Sequence, residues 1–86
     1  MNINDLIAIV KKKIQTNFVI EHINIEDKSF LHKKHSGHKE GKFHLKIEII
    51  SEELKILNKI ESNKKIYKIL SEELDKYIHS IQISIR

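Results

Sequence analysis

Apolar residues recur along this chain with two different periods, and the changes of period mark out its elements. Ile3, Leu6, Ile7, Val10 and Ile14 keep the i, i+3, i+4, i+7 spacing of an amphipathic helix over residues 3–14. Asn2 or Asn4 can cap its start, Lys11, Lys12 and Lys13 fall near its negative end, and Asn17 is placed to end it. Over 18–26 (FVIEHINIE) the period shortens to alternation at Ile23 and Ile25, which predicts a strand. Alternation is strict over 43–50 (FHLKIEII), where Phe43, Leu45, Ile47 and Ile49 share one face and His44, Lys46 and Glu48 the other. Ser51 followed by Glu52 and Glu53 has the hydroxyl cap and early acids of a helix start, predicting a short helix to about Leu57. A longer helix is expected from about Ser62 to Lys76, with Ile66, Ile69, Leu70 and Leu74 on one face. Residues 78–85 alternate again and predict a third strand with Ile81, Ile83 and Ile85 inward.

The order α-β-β-α-α-β predicts an α+β fold: a three-stranded mixed sheet with helices packed on one face, similar in element order to the type II KH fold. The two-helix crossover is long enough to join parallel strands. With 86 residues, no internal repeat and no linker, one domain over 1–86 is expected.

Between Lys28 and Lys42 the periodicity stops. The segment KSFLHKKHSGHKEGK holds both of the chain's glycines, and loops of this length in small domains are often functional. Five lysines against the single Glu40 give it the whole of the chain's net charge of +4. A solvated loop and a phosphate-binding loop both have this composition. The chain has no cysteine, which excludes a disulfide framework, a thiol nucleophile and a cluster held by its own thiolates. Six histidines remain, so metal or acid–base chemistry here runs through imidazole. Asp5 precedes the first apolar stretch and the lysines follow it, the reverse of a secretory signal, and no run approaches the roughly 18 apolar residues of a membrane span. A cytoplasmic protein without membrane attachment is expected.

Three stretches, IEHINIEDKS (20–29), HSGHKEGKFHLKIEIISEEL (35–54) and IYKILSEELDKYIHSIQI (66–83), resemble the BolA family in order and spacing. The likeness covers nearly all of the chain after the first helix, and the derived element order is the family's own. Two places depart from the family pattern. Ser62 and Asn63 stand where an Arg-His pair is usual, and Leu54, Lys55 and Ile56 where an aromatic followed by glycine is usual.

Read from the residues alone, His79 is an edge-of-core histidine satisfied by a backbone carbonyl, sharing parity with Ile81 and Ile83. The resemblance implies another role, because this position matches the family's signature histidine, a cluster ligand in complexes with glutaredoxins. His32, His35 and His38 form H-x-x-H-x-x-H, a spacing that can wrap a metal, although metal triads are normally braced by regular structure, this segment has no periodicity, and its interleaved lysines oppose a cation. The resemblance implies one loop ligand, and Ser36-Gly37-His38 matches it best, with His35 in reserve. Gly37 and Gly41 would permit the loop to fold toward the third strand. The resemblance thus implies a [2Fe–2S] cluster held by His79 and His38 together with the thiolate of a monothiol glutaredoxin and glutathione, as part of iron–sulfur trafficking or iron regulation. Mixed His/Cys ligation is chemically precedented. Imidazole ligates when neutral, so binding is expected to weaken below about pH 6.5. His44, on the polar side of its strand, is read mainly as orienting the loop or the sheet face, and His22 as exposed.

Catalysis is not expected: no nucleophile–base pair has a recognisable spacing and no Gly-rich turn follows a strand. The rival reading is a DNA-binding transcriptional regulator using Lys33, Lys34, Lys39 and Lys42. Against it, the connector Ile56–Glu61 lacks the G-x-x-G clamp of KH domains, and three Phe and two Tyr make a poor stacking platform. The free chain is expected to be a monomer.

Overall fold

The alternating segments pair as their periods require. In a computed structural model, which describes residues 1–29 and 42–86, α1 spans Ile3–Asn17, β1 His22–Asp27, β2 Phe43–Ile50 and β3 Ile78–Ile85. β1 runs antiparallel to β2 and β3 runs parallel to it, giving the sheet order β1-β2-β3. Register places Ile25, Ile47 and Ile83 in one row and Ile23, Ile49 and Ile85 in the next, so their side chains share one face. That face is covered by Leu6, Val10 and Ile14 of α1 and by Leu54, Ile66 and Leu70 from the crossover, all at most 1% exposed. The other face carries Asn24, Glu26, Lys46, Glu48 and Gln82 and is left without a helical layer among the described residues.

The crossover holds three helices where two are expected: α2 (Glu52–Lys55), α3 (Lys59–Ile69) and α4 (Ser71–Lys76). The expected single helix over 62–76 starts three residues earlier, because Asn58 caps it by accepting the Glu61 N–H at 2.8 Å. It then breaks at Leu70, whose backbone (φ −102°, ψ 12°) leaves the helical region although neither glycine nor proline is there. The break keeps Leu70 fully buried and aims α4 so that Glu73, with its side chain 6% exposed, meets Lys13 of α1. Both carboxylate oxygens of Glu73 accept from Lys13 Nζ at 2.8 Å. α1 also runs on to Asn17, so Lys11–Lys13 lie short of its last turn, and Lys13 serves this ion pair instead of the helix dipole. β1 begins at His22, four residues later than the alternation suggests, because Phe18–Glu21 form the return from α1. Asn2 caps α1 by accepting the Asp5 N–H at 2.8 Å.

Ser51 joins the layers. Fully buried, it donates its hydroxyl to Val19 O at 2.7 Å while its oxygen accepts the Leu54 N–H at 3.2 Å, capping α2. Among the described residues no helix is long and apolar enough to cross a membrane. His32, His35 and His38, and Lys33, Lys34 and Lys39, lie outside the described residues.

Candidate functional site

The parallel pairing of β2 with β3 brings two histidines together through an irregularity in the ladder. Phe43 pairs with Ile78, but the next residue, His44, pairs with Ser80, so His79 is an extra residue in β3. Such a bulge reverses the alternation locally and re-aims a side chain. Ile78 is therefore buried at 2% exposure and His79 is exposed, which corrects the parity expected with Ile81 and Ile83. The reading of His79 as an edge-of-core residue fails for the same reason.

His79 turns toward His44. Their ring centroids are 4.8 Å apart and their planes are tilted by 49°. His44 is 7% exposed although it lies on the polar face of β2. Its Nδ1 is 2.6 Å from Ser80 Oγ, with the roles of donor and acceptor set by the ring tautomer. A shallow hollow on this side of the sheet is lined by Lys28, His44, Lys46, Ser80 and Gln82.

The backbone of His44 anchors the chain where it leaves β1. The His44 N–H donates to Ser29 Oγ at 3.0 Å, and the Lys28 N–H donates to His44 O at 2.7 Å. Ser29 is itself held by a local turn in which its N–H donates to Asp27 Oδ1 at 2.9 Å. On the return, Lys42 Nζ donates to Asp75 O at 3.1 Å and the Phe43 N–H to Tyr77 O at 2.9 Å. The residues that flank segment 30–41, Lys28 and Ser29 before it and Lys42 and Phe43 after it, are therefore fastened at the His44/His79 end of the sheet. Lys28 bridges to Glu26 at 2.9 Å, and this hydrogen bond and charge hold the Glu26 carboxyl below its ordinary pKa.

Of the residues singled out in the sequence, His44 and His79 are brought together, Lys42 stands beside Asp75, and His22 is exposed on β1. Ser29 and Ser80 were not singled out. Their partnership with His44 depends on the parallel register and its bulge, which no local pattern encodes. Among the described residues, no group of three or more His, Asp or Glu side chains gathers to hold a metal ion.

Comparison with known proteins agrees with this architecture. The sequence profile of the BolA-like protein family matches residues 14–86. A Haemophilus influenzae protein named DNA-binding transcriptional regulator BolA is 32% identical over 77 residues, covering 90% of this chain and 72% of that protein. The chloroplastic protein BOLA1 of Arabidopsis thaliana is 29% identical over 77 residues, covering 86% of this chain and 48% of that longer protein. Among solved structures, BolA1 from Arabidopsis thaliana superposes with a TM-score of 0.75 at 27% identity, covering 92% of this chain and 87% of that one. The BolA domain of SufE1 from the same plant gives a TM-score of 0.78 at 20% identity, covering 100% of this chain and 93% of that one, a likeness of fold. The mixed three-stranded sheet, the helices on one face and the match over residues 14–86 place this chain in the BolA-like family.

Proposed function

We propose that this BolA-like chain is an adaptor that shares a [2Fe–2S] cluster with a monothiol glutaredoxin and glutathione. His79 and His38 serve as its ligands, with His35 in reserve for His38. The single observation that carries the reading is the bulge at His79, which turns this imidazole out of the core toward the side of the sheet where segment 30–41 is attached.

The donor set fits a shared group better than a private one. The chain has no cysteine, and the described residues offer His79 and its neighbour His44 as the imidazoles at this end of the sheet. A partner supplying thiolates is needed to complete four ligands, and clusters with mixed histidine and cysteine ligation are chemically stable. His44 acts as a positioning residue: its ring is held by Ser80 and lies against His79, while its backbone fastens the start of the loop. Lys42 at this end, its Nζ on the Asp75 backbone carbonyl, adds positive charge to meet an anionic cluster with its glutathione carboxylates, whereas Lys28 and Lys46 are balanced by Glu26 and Glu48.

The test is anaerobic reconstitution of this chain with a monothiol glutaredoxin, glutathione, iron and sulfide, followed by size-exclusion chromatography monitored in the visible. A coloured heterodimer is expected. A coloured glutaredoxin homodimer eluting apart from this chain would refute the adaptor reading.

The name of the Haemophilus influenzae relative favours a second reading, DNA binding through the basic segment 28–42. Lys33, Lys34 and Lys39 would then make phosphate contacts beside Lys42. Affinity for a DNA duplex would fall steeply with salt, and no binding at about 150 mM salt would dismiss it.

A further inference from the structure

At the far end of β3 from His79 the sheet stops at an open edge. Arg86 donates its N–H to Ile49 O at 2.8 Å and accepts the Ser51 N–H at 3.0 Å, so its backbone groups face β2. The alternation of a strand then turns the N–H and C=O of Ile81, Ile83 and Ile85 away from β2. Among the described residues no strand pairs with that edge. Soluble proteins usually blunt such edges with charged residues or proline, yet Ile78–Ile85 (IHSIQISI) holds no Lys, Arg, Asp, Glu or Pro.

Beside this edge runs a groove. Its apolar floor is Leu54, Leu57, Ile83 and Ile85, and Lys55 and Lys59 stand on its rim. Both lysines are exposed, and so are Ile56 and Ile60 on the same connector, at 85% and 68%. Residues 55–68 hold five lysines against the single Glu61, a second concentration of positive charge besides the 28–42 loop. The two stretches where the chain departs from the family pattern supply Leu54, Lys55, Ser62 and Asn63 to this groove.

We propose that the β3 edge and this groove take up an extended acidic peptide of a partner protein as a fourth strand. The backbone groups of Ile83 and Ile85 pair with the peptide main chain. Alternate apolar side chains of the peptide pack on the half-buried Leu57, Ile83 and Ile85, and its acidic residues meet Lys55 and Lys59. A second copy of this chain is a poorer occupant, because its own β3 has no acidic residue to offer those lysines. The groove lies at the opposite end of β3 from the bulge, so this contact is independent of the proposed cluster site.

The experiment uses the isotope-labelled full chain and a synthetic peptide of alternating glutamate and valine as probe. Its control is the same peptide N-methylated at the positions that would pair. Saturation is expected to slow amide exchange of Ile83 and Ile85 by about tenfold or more, as strand addition protects edge amides, and the N-methylated peptide is expected not to bind. The Lys55→Glu/Lys59→Glu variant, on the surface and folded by circular dichroism, is expected to bind at least about tenfold more weakly. The proposal is overturned if the peptide leaves both amides unprotected. It is also overturned if the free chain sediments as a dimer with them already protected, or if oligothymidylate occupies the groove more tightly than the peptide.

Discussion

The imidazole Nδ1 of His44 and the hydroxyl of Ser80 meet at 2.6 Å across the parallel β2–β3 pair, one residue beyond the bulge that carries His79. This contact fixes the plane of the His44 ring, and the His79 ring rests against it. Ser80→Ala is expected to cost about 1 kcal/mol, the usual net value of one hydrogen bond, measured by urea unfolding. It is also expected to shift the imidazole nitrogen resonances of both histidines. Unmoved His79 resonances would show that His44 does not orient it.

The Lys13–Glu73 pair ties α1 to α4 with two 2.8 Å contacts to a carboxylate that is nearly buried. Removing the lysine leaves that carboxylate without its cation. Lys13→Met is expected to destabilise by about 2 kcal/mol, discounted from a fully buried pair because Lys13 is about a third exposed. Replacing both residues, Lys13→Met with Glu73→Leu, is expected to recover most of that loss, because no unpaired charge remains. A double variant no more stable than Lys13→Met would contradict this.

Ser51→Ala removes a helix cap and leaves Val19 O without its hydroxyl donor in one change. The expected loss is about 2 kcal/mol, with Ser51→Thr retaining more stability than Ala. Thermal unfolding of the two variants side by side is the check.

Much of this structure is legible in the sequence. The bounds of β2 and β3 follow from alternation, which breaks at Ser51 at the end of β2 and at Tyr77 before β3. Departures arise where tertiary contacts override local pattern. Ser71-Glu72-Glu73 repeats the Ser-Glu-Glu start read at Ser51 and opens α4, but the apolar stripe Ile66, Ile69, Leu70 and Leu74 runs through it and hides the break at Leu70, which serves the burial of Leu70 and the reach of Glu73 to Lys13. His79 reads as inward by parity, but the bulge opposite Phe43/His44 reverses it, and a bulge in a parallel pair is a property of the two strands together. The burial of His44 on a polar face likewise depends on neighbours from β3 and from the end of β1. Segment 30–41, with His35 and His38, lies outside the described residues, so its ligand assignment rests on the likeness to the family.

Glu26 and Lys28 give a small pH dependence of known sign. The folded-state pKa of Glu26 is held below the ordinary 4.5 by Lys28, so its contribution is present above 4.5 and is lost as pH falls through the lower folded value. Glu26→Gln is expected to be slightly less stable than wild type at neutral pH and equal to it in strong acid, measured by urea unfolding across that range. A difference that persists in acid would assign the effect to packing instead of charge.

The most direct test of the central claim is pulsed EPR of the reduced cluster in the complex of this chain with a monothiol glutaredoxin and glutathione. The reading predicts strongly coupled ¹⁴N from histidine nitrogens bound to iron, with one coupling lost in His79→Ala and the other in His38→Ala. A wild-type complex showing no strongly coupled ¹⁴N, with a spectrum like the glutaredoxin's own cluster, would contradict ligation by this chain.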